Sequence, residues 1–396
     1  MPLIAIYNPA CGDKTGKPTF LLYVLPLLFG KGITVDRKVE TTHEGHAAEA
    51  VSEFAKQHSG SAELTIVLGS GDGTLHEVLN ALYFLDEVRG TKINIVLVPC
   101  GTANALFSTL FPPSTPEQVK EDSRYRMGSV HALFDGKGTT PVSLAVTELK
   151  GGAATGWGTR KTLVSAVVTS TALHAAILNT SESLREEHPG LERFKMAAQL
   201  NVKKWFKARV RLLPAPQQQA PEIYDVQSNS FIPASHEGAL DLEGPFAYFL
   251  STINVDRLEP LFLITPLAHD IPPPPGTCDI VVIRPLRDPG VWEDTPETRL
   301  GFVQRTWSAM AGAYQAGAHL KLRYGEGGQL VKEGDGQSVV EYFRCGGWEW
   351  HPEPTDDAAH LVCSDGAINR IDTGGWASCR VSTTPEDRPT FGIYVE

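Results

Sequence analysis

The chain has 396 residues and a formal charge of −11, from 35 Lys and Arg against 46 Asp and Glu. This length points to two domains, and a hydrophobic content of 42% supplies real cores, which excludes a disordered chain. The acidic balance argues against a nucleic-acid partner, because such a surface needs a cationic field to displace counterions from phosphates. In chain order, Leu3–Tyr7 reads as a strand, 19–29 as a helix, 34–39 as a strand and 44–57 as a helix with one apolar face. Residues 64–68 and 93–98 are short, almost wholly apolar runs of the kind buried on both faces of a parallel sheet, with a helical period over 74–85 between them. Strands alternating with helices predict a βαβ architecture.

Beyond about residue 140, short β-rich runs dominate: 142–147, 163–169, 208–213, 247–254, 279–283, 319–324 and 339–343. One helical island, over 181–206, interrupts them. The expected organisation is an α/β nucleotide-binding domain over 1–138 and a mainly antiparallel β-sandwich over 139–396, with the active site in the cleft between them. The six cysteines form no Cys-x-x-Cys pair and read as reduced thiols of a cytoplasmic protein. The longest apolar run, residues 20–29, is broken by Pro26 and falls short of the roughly 20 residues a membrane span needs. The chain opens at once on a strand, so no leader is expected.

The main chemical signal is Gly69-Ser70-Gly71-Asp72-Gly73-Thr74, set between a buried strand and a helix. Glycines let backbone approach a polyphosphate closely, and the following helix offers unpaired N–H groups and the positive end of its dipole. Asp72 would stand at the mouth of that loop, orienting or deprotonating an attacking hydroxyl or helping to hold Mg²⁺. An ordinary strand–turn–helix with Asp-Gly as the turn reads the same way. Asn8-Pro9-Ala10-Cys11-Gly12 and Pro99-Cys100-Gly101-Thr102-Ala103-Asn104 end two further strands. In a parallel sheet such ends share one edge, where ligands of open α/β folds bind. Lys17 is not in a P-loop spacing, and the histidines show no metal-binding spacing.

These segments, with Thr41, Gly45-His46-Ala47, His76-Glu77-Val78 and Asn80 between them, resemble in order the diacylglycerol kinase-type lipid kinases, most closely the sphingosine (sphingoid base) kinase branch. The similarity continues in Ser181-Glu182, Leu184-Arg185 and Leu191-Glu192-Arg193-Phe194, and more faintly in 339–344 and Cys363-Ser364-Asp365-Gly366. The resemblance implies an ATP- and Mg²⁺-dependent kinase that phosphorylates a lipid hydroxyl. It would set Asn8, Pro9 and Ala10, with Thr41, along the nucleotide. Ser70, Gly71 and Gly73 would border the phosphates and the acceptor, with Asp72 as the base. Glu77 and the turn Gly101, Thr102, Ala103 would complete the ATP side. Arg185 and Arg193 would reach the phosphates from the second domain, and Asp365 matches the first residue of a late Asp-Gly-Glu motif. No side chain is assigned as a metal ligand.

Three positions depart from the family pattern. Ala367 replaces the late glutamate, and Pro275 replaces the leading aspartate of the segment that ends at Asp279. Leu178 and Asn179 stand where sphingosine kinases carry acids that meet a cationic head group. A buried amine without a carboxylate is costly, so these two lipid-substrate candidates favour a neutral acceptor such as diacylglycerol or ceramide. Residues 185–211 hold eight basic and three acidic residues with apolar ones interleaved. They read either as a peripheral docking segment for anionic lipid or as a helix with a solvated basic face. Two other functions stay open: a nucleotide- or lipid-binding module of low activity, and a kinase of a soluble substrate such as NAD.

Overall fold

The computed structural model describes the chain except residues 13, 116–117, 120–121, 137, 152–160, 189, 191, 383–386 and 396. Leu191 of the resemblance above therefore lies outside the described residues. The first layer is a sheet built on four parallel strands, β1 (Leu3–Tyr7), β2 (Arg37–Glu40), β3 (Glu63–Ser70) and β4 (Lys92–Pro99), in the order β2-β1-β3-β4. The period of two in β1 explains the layering. Leu3, Ala5 and Tyr7 face a helical stretch over 16–30, packing with Phe20, Val24 and Leu28. Ile4 and Ile6 face the other way, into a core shared with the helices His46–Gln57 and Asp72–Tyr83.

The sheet does not end at residue 138. The last strand of the chain, Thr390–Tyr394, pairs in parallel with β4, and Thr139–Pro141 pairs antiparallel to it on the outside. Both strands lie beyond the boundary the sequence suggested. The physical reason is that Thr-Phe-Gly-Ile-Tyr is as short and apolar as any sandwich strand, so its texture carries no sign of its sheet.

The second layer pair is an antiparallel sandwich of an eight-stranded and a six-stranded sheet. The run expected as one strand over 163–169 is two, Lys161–Ser165 in one sheet and Val168–Thr171 in the other. The chain crosses between sheets at Ala166 and Val167. An 18-residue helix, Pro296–Ala313, was not anticipated, although Thr295 and Thr298 form a capping box at its start. Residues 319–324, expected as a strand, are a 3₁₀ turn followed by the two-residue strand Arg323–Tyr324. Trp348, Trp350 and Phe249 fill the space between the sheets.

Two lobes meet along helix Asp72–Tyr83, which lies on strand Lys161–Ser165. Asn80 fastens them: its Nδ2 donates to the Val164 carbonyl at 2.8 Å and its Oδ1 accepts from the Val164 N–H at 2.9 Å. One amide thus pairs with both backbone groups of a strand residue. Asn80→Ala leaves the two half-buried groups of Val164 unmatched and is expected to cost about 1–3 kcal/mol, read as a lower urea midpoint; an unchanged midpoint would show that water replaces the clasp.

Candidate active site

Because β1 to β4 are parallel, their C-terminal ends lie on one rim, and every turn singled out in the sequence falls there. Asn8 follows β1, Thr41 follows β2, the Gly71-Asp72-Gly73 turn follows β3 and Cys100-Gly101-Thr102 follows β4. The turns touch. A Cβ on Gly101 would sit 2.4 Å from the Gly71 Cα, and one on Gly12 would sit 2.4 Å from the Cys100 carbonyl oxygen. Only glycine permits either approach. The Asn8 side chain accepts from the Ala10 N–H at 2.9 Å and so shapes its own turn, while Thr41 is buried with its N–H on the Tyr7 carbonyl.

Asp72 is the first residue of helix Asp72–Tyr83, after Gly71 at the N-cap. Gly71 has no side chain with which to cap the helix. The Asp72 carboxylate turns instead to the next helix, Ala105–Leu110, accepting from the Ala105 N–H at 2.8 Å and the Leu106 N–H at 3.3 Å. These two bonds fix its orientation at the wall of a small crevice lined by Ser70, Gly71, Pro99, Asn104 and Phe107. Burial pushes its pKa up to about 6, and the nearby Asp365 charge adds to the rise, against the lowering effect of the two N–H groups.

Asp365 reaches the same place from the second lobe. It occupies a left-handed turn (φ 47°) between strands Leu361–Ser364 and Ala367–Arg370. Its carboxylate accepts from the N–H groups of Ala166, Val167 and Val168 at 2.8–2.9 Å, which pins the crossover between the two sheets. One oxygen also stands 3.5 Å from His76 Nδ1, one helical turn beyond Asp72. Ser70 donates to Thr74 at 2.6 Å, behind the loop. Glu77 is half-buried and takes the Gly45 N–H; burial raises its pKa first, and the Glu44 charge adds to that.

Not every candidate gathers here. Arg185 is exposed and paired with Glu182 at 2.6 Å. Arg193 is stacked 4.7 Å over the Phe194 ring, and its Nε meets no partner among the described residues. The two arginines face each other closely enough that burial, then the Arg185 charge, lowers the Arg193 pKa. No described contact joins either to Asp72. Asn179 lines a cavity of about 320 Å³ in the second lobe together with Thr180, Asn201, Lys204, Asn369 and Arg370. Ala176, Ala358, Leu361 and Ile368 make the rest of its wall apolar, and Leu178 is not part of it.

Sequence reasoning read His76 as a structural partner at a helix start and gave no separate role to Asn104 or Asn80, although both were in view. Asn104, left-handed at φ 51°, holds the Gly101 turn by reciprocal bonds, accepting from the Gly101 N–H at 2.8 Å and donating to its carbonyl at 2.9 Å. The readable signal was an Asn immediately before a helix, three residues after a glycine.

Residues 2–131 match the model of the diacylglycerol kinase catalytic domain. Residues 2–131, about a third of the chain, are thus similar to that catalytic domain. Sphingoid long chain base kinase 5 of Saccharomyces cerevisiae is 35% identical over 106 residues, which cover 26% of this chain and 15% of that protein. The mitochondrial acylglycerol kinase of Xenopus laevis is 34% identical over 117 residues, covering 29% of this chain and 26% of that one. The match thus spans about a quarter or less of these relatives. A crystal structure of a Bacillus anthracis protein described as a diacylglycerol kinase shares the fold over 99% of this chain and 97% of its own, with a TM-score of 0.52 at 13% identity.

Proposed function

We propose that this chain transfers the γ-phosphoryl group of ATP to the hydroxyl of a lipid. The observation that carries the reading is Asp72: an acid with its pKa raised to about 6, fixed at the meeting point of three glycine turns and facing a second acid across the lobes. A general base works best with a pKa near the operating pH. Asp72 takes the proton of the acceptor hydroxyl as its oxygen attacks the γ-phosphorus, and the bond to the ADP oxygen breaks. The backbone of Gly71, Gly73 and Gly101 and the N-terminus of helix Asp72–Tyr83 hold the triphosphate, while Asn8 to Ala10, Thr41 and Glu77 border the nucleotide. Phosphoryl transfer is mostly positioning and charge neutralisation, and Mg²⁺ would supply neutralising charge on the phosphates. Among the described residues no three His, Cys, Asp or Glu cluster as metal ligands. Asp72 and Asp365 are the carboxylates that would hold such an ion at this site.

Arg185 and Arg193 would serve only after Arg185 leaves Glu182, an exposed pair that costs little to break. Leu178 and Asn179 carry no acid, which supports a neutral acceptor such as diacylglycerol or ceramide over sphingosine. The test is labelled ATP with a panel of sphingosine, ceramide and diacylglycerol. Label in a neutral lipid supports the reading; label in sphingosine alone overturns the acceptor class. Label in none, with Asp72→Asn indistinguishable from the parent, leaves a binding module.

A further inference from the structure

The helical stretch over 16–30 is apolar on both sides. Phe20, Val24 and Leu28 are fully buried against the sheet. The opposite side presents Pro18, Leu22, Pro26 and Phe29, spaced to form one stripe along the helix. Leu22 is 66% exposed and Phe29 84%, with Leu21 and Tyr23 beside them at 40% and 49%. A surface helix of a water-soluble domain ordinarily turns polar residues outward. Here no charged residue occurs between Lys17 and Lys31.

Charge indicates what covers the stripe. From Lys14 to Val35 the sequence holds three lysines and no acid, inside a chain of net charge −11. Lys14, Lys17 and Lys31 are all exposed; Lys17 pairs with Glu40 at 3.0 Å, so Lys14 and Lys31 are the cations that bracket the apolar stripe. Lysine stems lie along apolar surface while their ammonium groups reach outward, the arrangement that suits acyl chains below and anionic head groups beside them. A two-fold contact between copies would instead set lysines against lysines. The alternative docking segment over 185–211 has lost its largest anchors, because Trp205 is 2% and Phe206 0% exposed and both belong to the core.

We propose that this helix is the docking surface of the chain for an anionic bilayer, lying flat with Leu22 and Phe29 inserted and Lys14 and Lys31 on the head groups. The inference goes beyond the kinase reading and does not depend on it. The helix starts directly beneath the Asn8 turn, where a Cβ on Gly16 would meet the Asn8 carbonyl oxygen at 2.6 Å, so docking sets the rim beside the membrane.

The test is flotation of the full chain with vesicles of phosphatidylcholine alone or mixed with phosphatidylserine. The parent is expected to float with the mixed vesicles and to be released by salt. Leu22→Glu/Phe29→Glu is expected to lose about tenfold or more in partitioning, with an unchanged circular dichroism spectrum because both side chains are exposed. Lys14→Glu/Lys31→Glu is expected to lose the preference for phosphatidylserine. A parent that stays off both vesicles, a Leu22→Glu/Phe29→Glu variant that floats as the parent does, or loss of flotation only on replacing Lys203, Lys204 and Lys207 overturns the proposal. So does a dimer that becomes a monomer in Leu22→Glu/Phe29→Glu with flotation intact. Activity on a micellar acceptor, measured separately, reports on the kinase reading alone.

Discussion

Asp72→Asn is expected to slow phosphoryl transfer by about 10²–10⁴-fold, the usual range for a lost general base, while nucleotide binding survives. The parent rate is expected to climb with pH through about 6, where Asp72 loses its proton, and the variant profile to be flat there. Stability should move the opposite way. Burial raises the Asp72 pKa from the ordinary 3.8 to about 6, so the folded state holds the proton more tightly. Its stabilising contribution is complete below pH 3.8 and is lost as pH rises through about 6. A shift of about two units amounts to about 3 kcal/mol. Asparagine carries no such ionisation penalty, though it gives up one of the two N–H bonds to Ala105 and Leu106. The variant is therefore expected to melt above the parent at alkaline pH and at or below it near pH 5. Thermal scans at the two pH values check this, and curves that never cross would show that Asp72 stays solvated.

Arg344→Met is expected to destabilise the second lobe by about 3–5 kcal/mol, the usual result of stripping one partner from a buried ion pair. Arg344 and Asp279 stand directly opposite on strands Glu341–Cys345 and Cys278–Ile283 and are 3% and 1% exposed. The guanidinium grips the carboxylate twice, at 2.7 and 2.9 Å, donates to the Ile271 carbonyl, and stacks 4.1 Å over Phe231. Tyr342 donates to the same carboxylate at 2.6 Å, and burial, then the Asp279 charge, drives its pKa well above the ordinary phenol range. Removing Arg344 leaves the Asp279 carboxyl buried without its cation, with the Tyr342 hydroxyl still donating to it. Asp279→Leu/Arg344→Met should recover most of the loss. Urea unfolding of the two variants decides the point, and a double variant as weak as the single one would place the cost in packing instead. The cluster also explains the segment that ends at Asp279: an arginine already claims its carboxylate.

The N-terminal layer was legible because β1, β3 and β4 are largely apolar runs closed by glycine-bearing turns, whereas β2, Arg-Lys-Val-Glu, begins three residues later than the strand expected over 34–39. Leu3–Tyr7 stands as read, and β3 and β4 extend only one or two residues beyond the runs that announced them. The rim followed from parallel pairing alone. What the sequence concealed depends on distant partners. Nothing local to Asp365 shows that three amides at residues 166–168 await it, and nothing local to Asn80 shows that Val164 lies alongside. Trp205 and Phe206, interleaved with lysines, looked like membrane anchors, yet Trp205 meets Phe302 edge-on, from a helix that sequence reading had missed. Arg185 and Arg193 were placed at the phosphates by the resemblance alone; in the structure Arg185 pairs with Glu182 and its charge is felt at Arg193.

The parallel sheet takes its fifth strand, Thr390–Tyr394, from beyond the whole second lobe in chain order. A ribosome delivers residues 139–389 before this strand emerges, so the lobe begun first is finished last. Until then the long apolar β4 waits with one row of backbone groups unpaired, a ready template for mispairing with a neighbouring nascent chain. Synthesis and closure of the two lobes are thereby tied into one event: neither is whole until the other has been made.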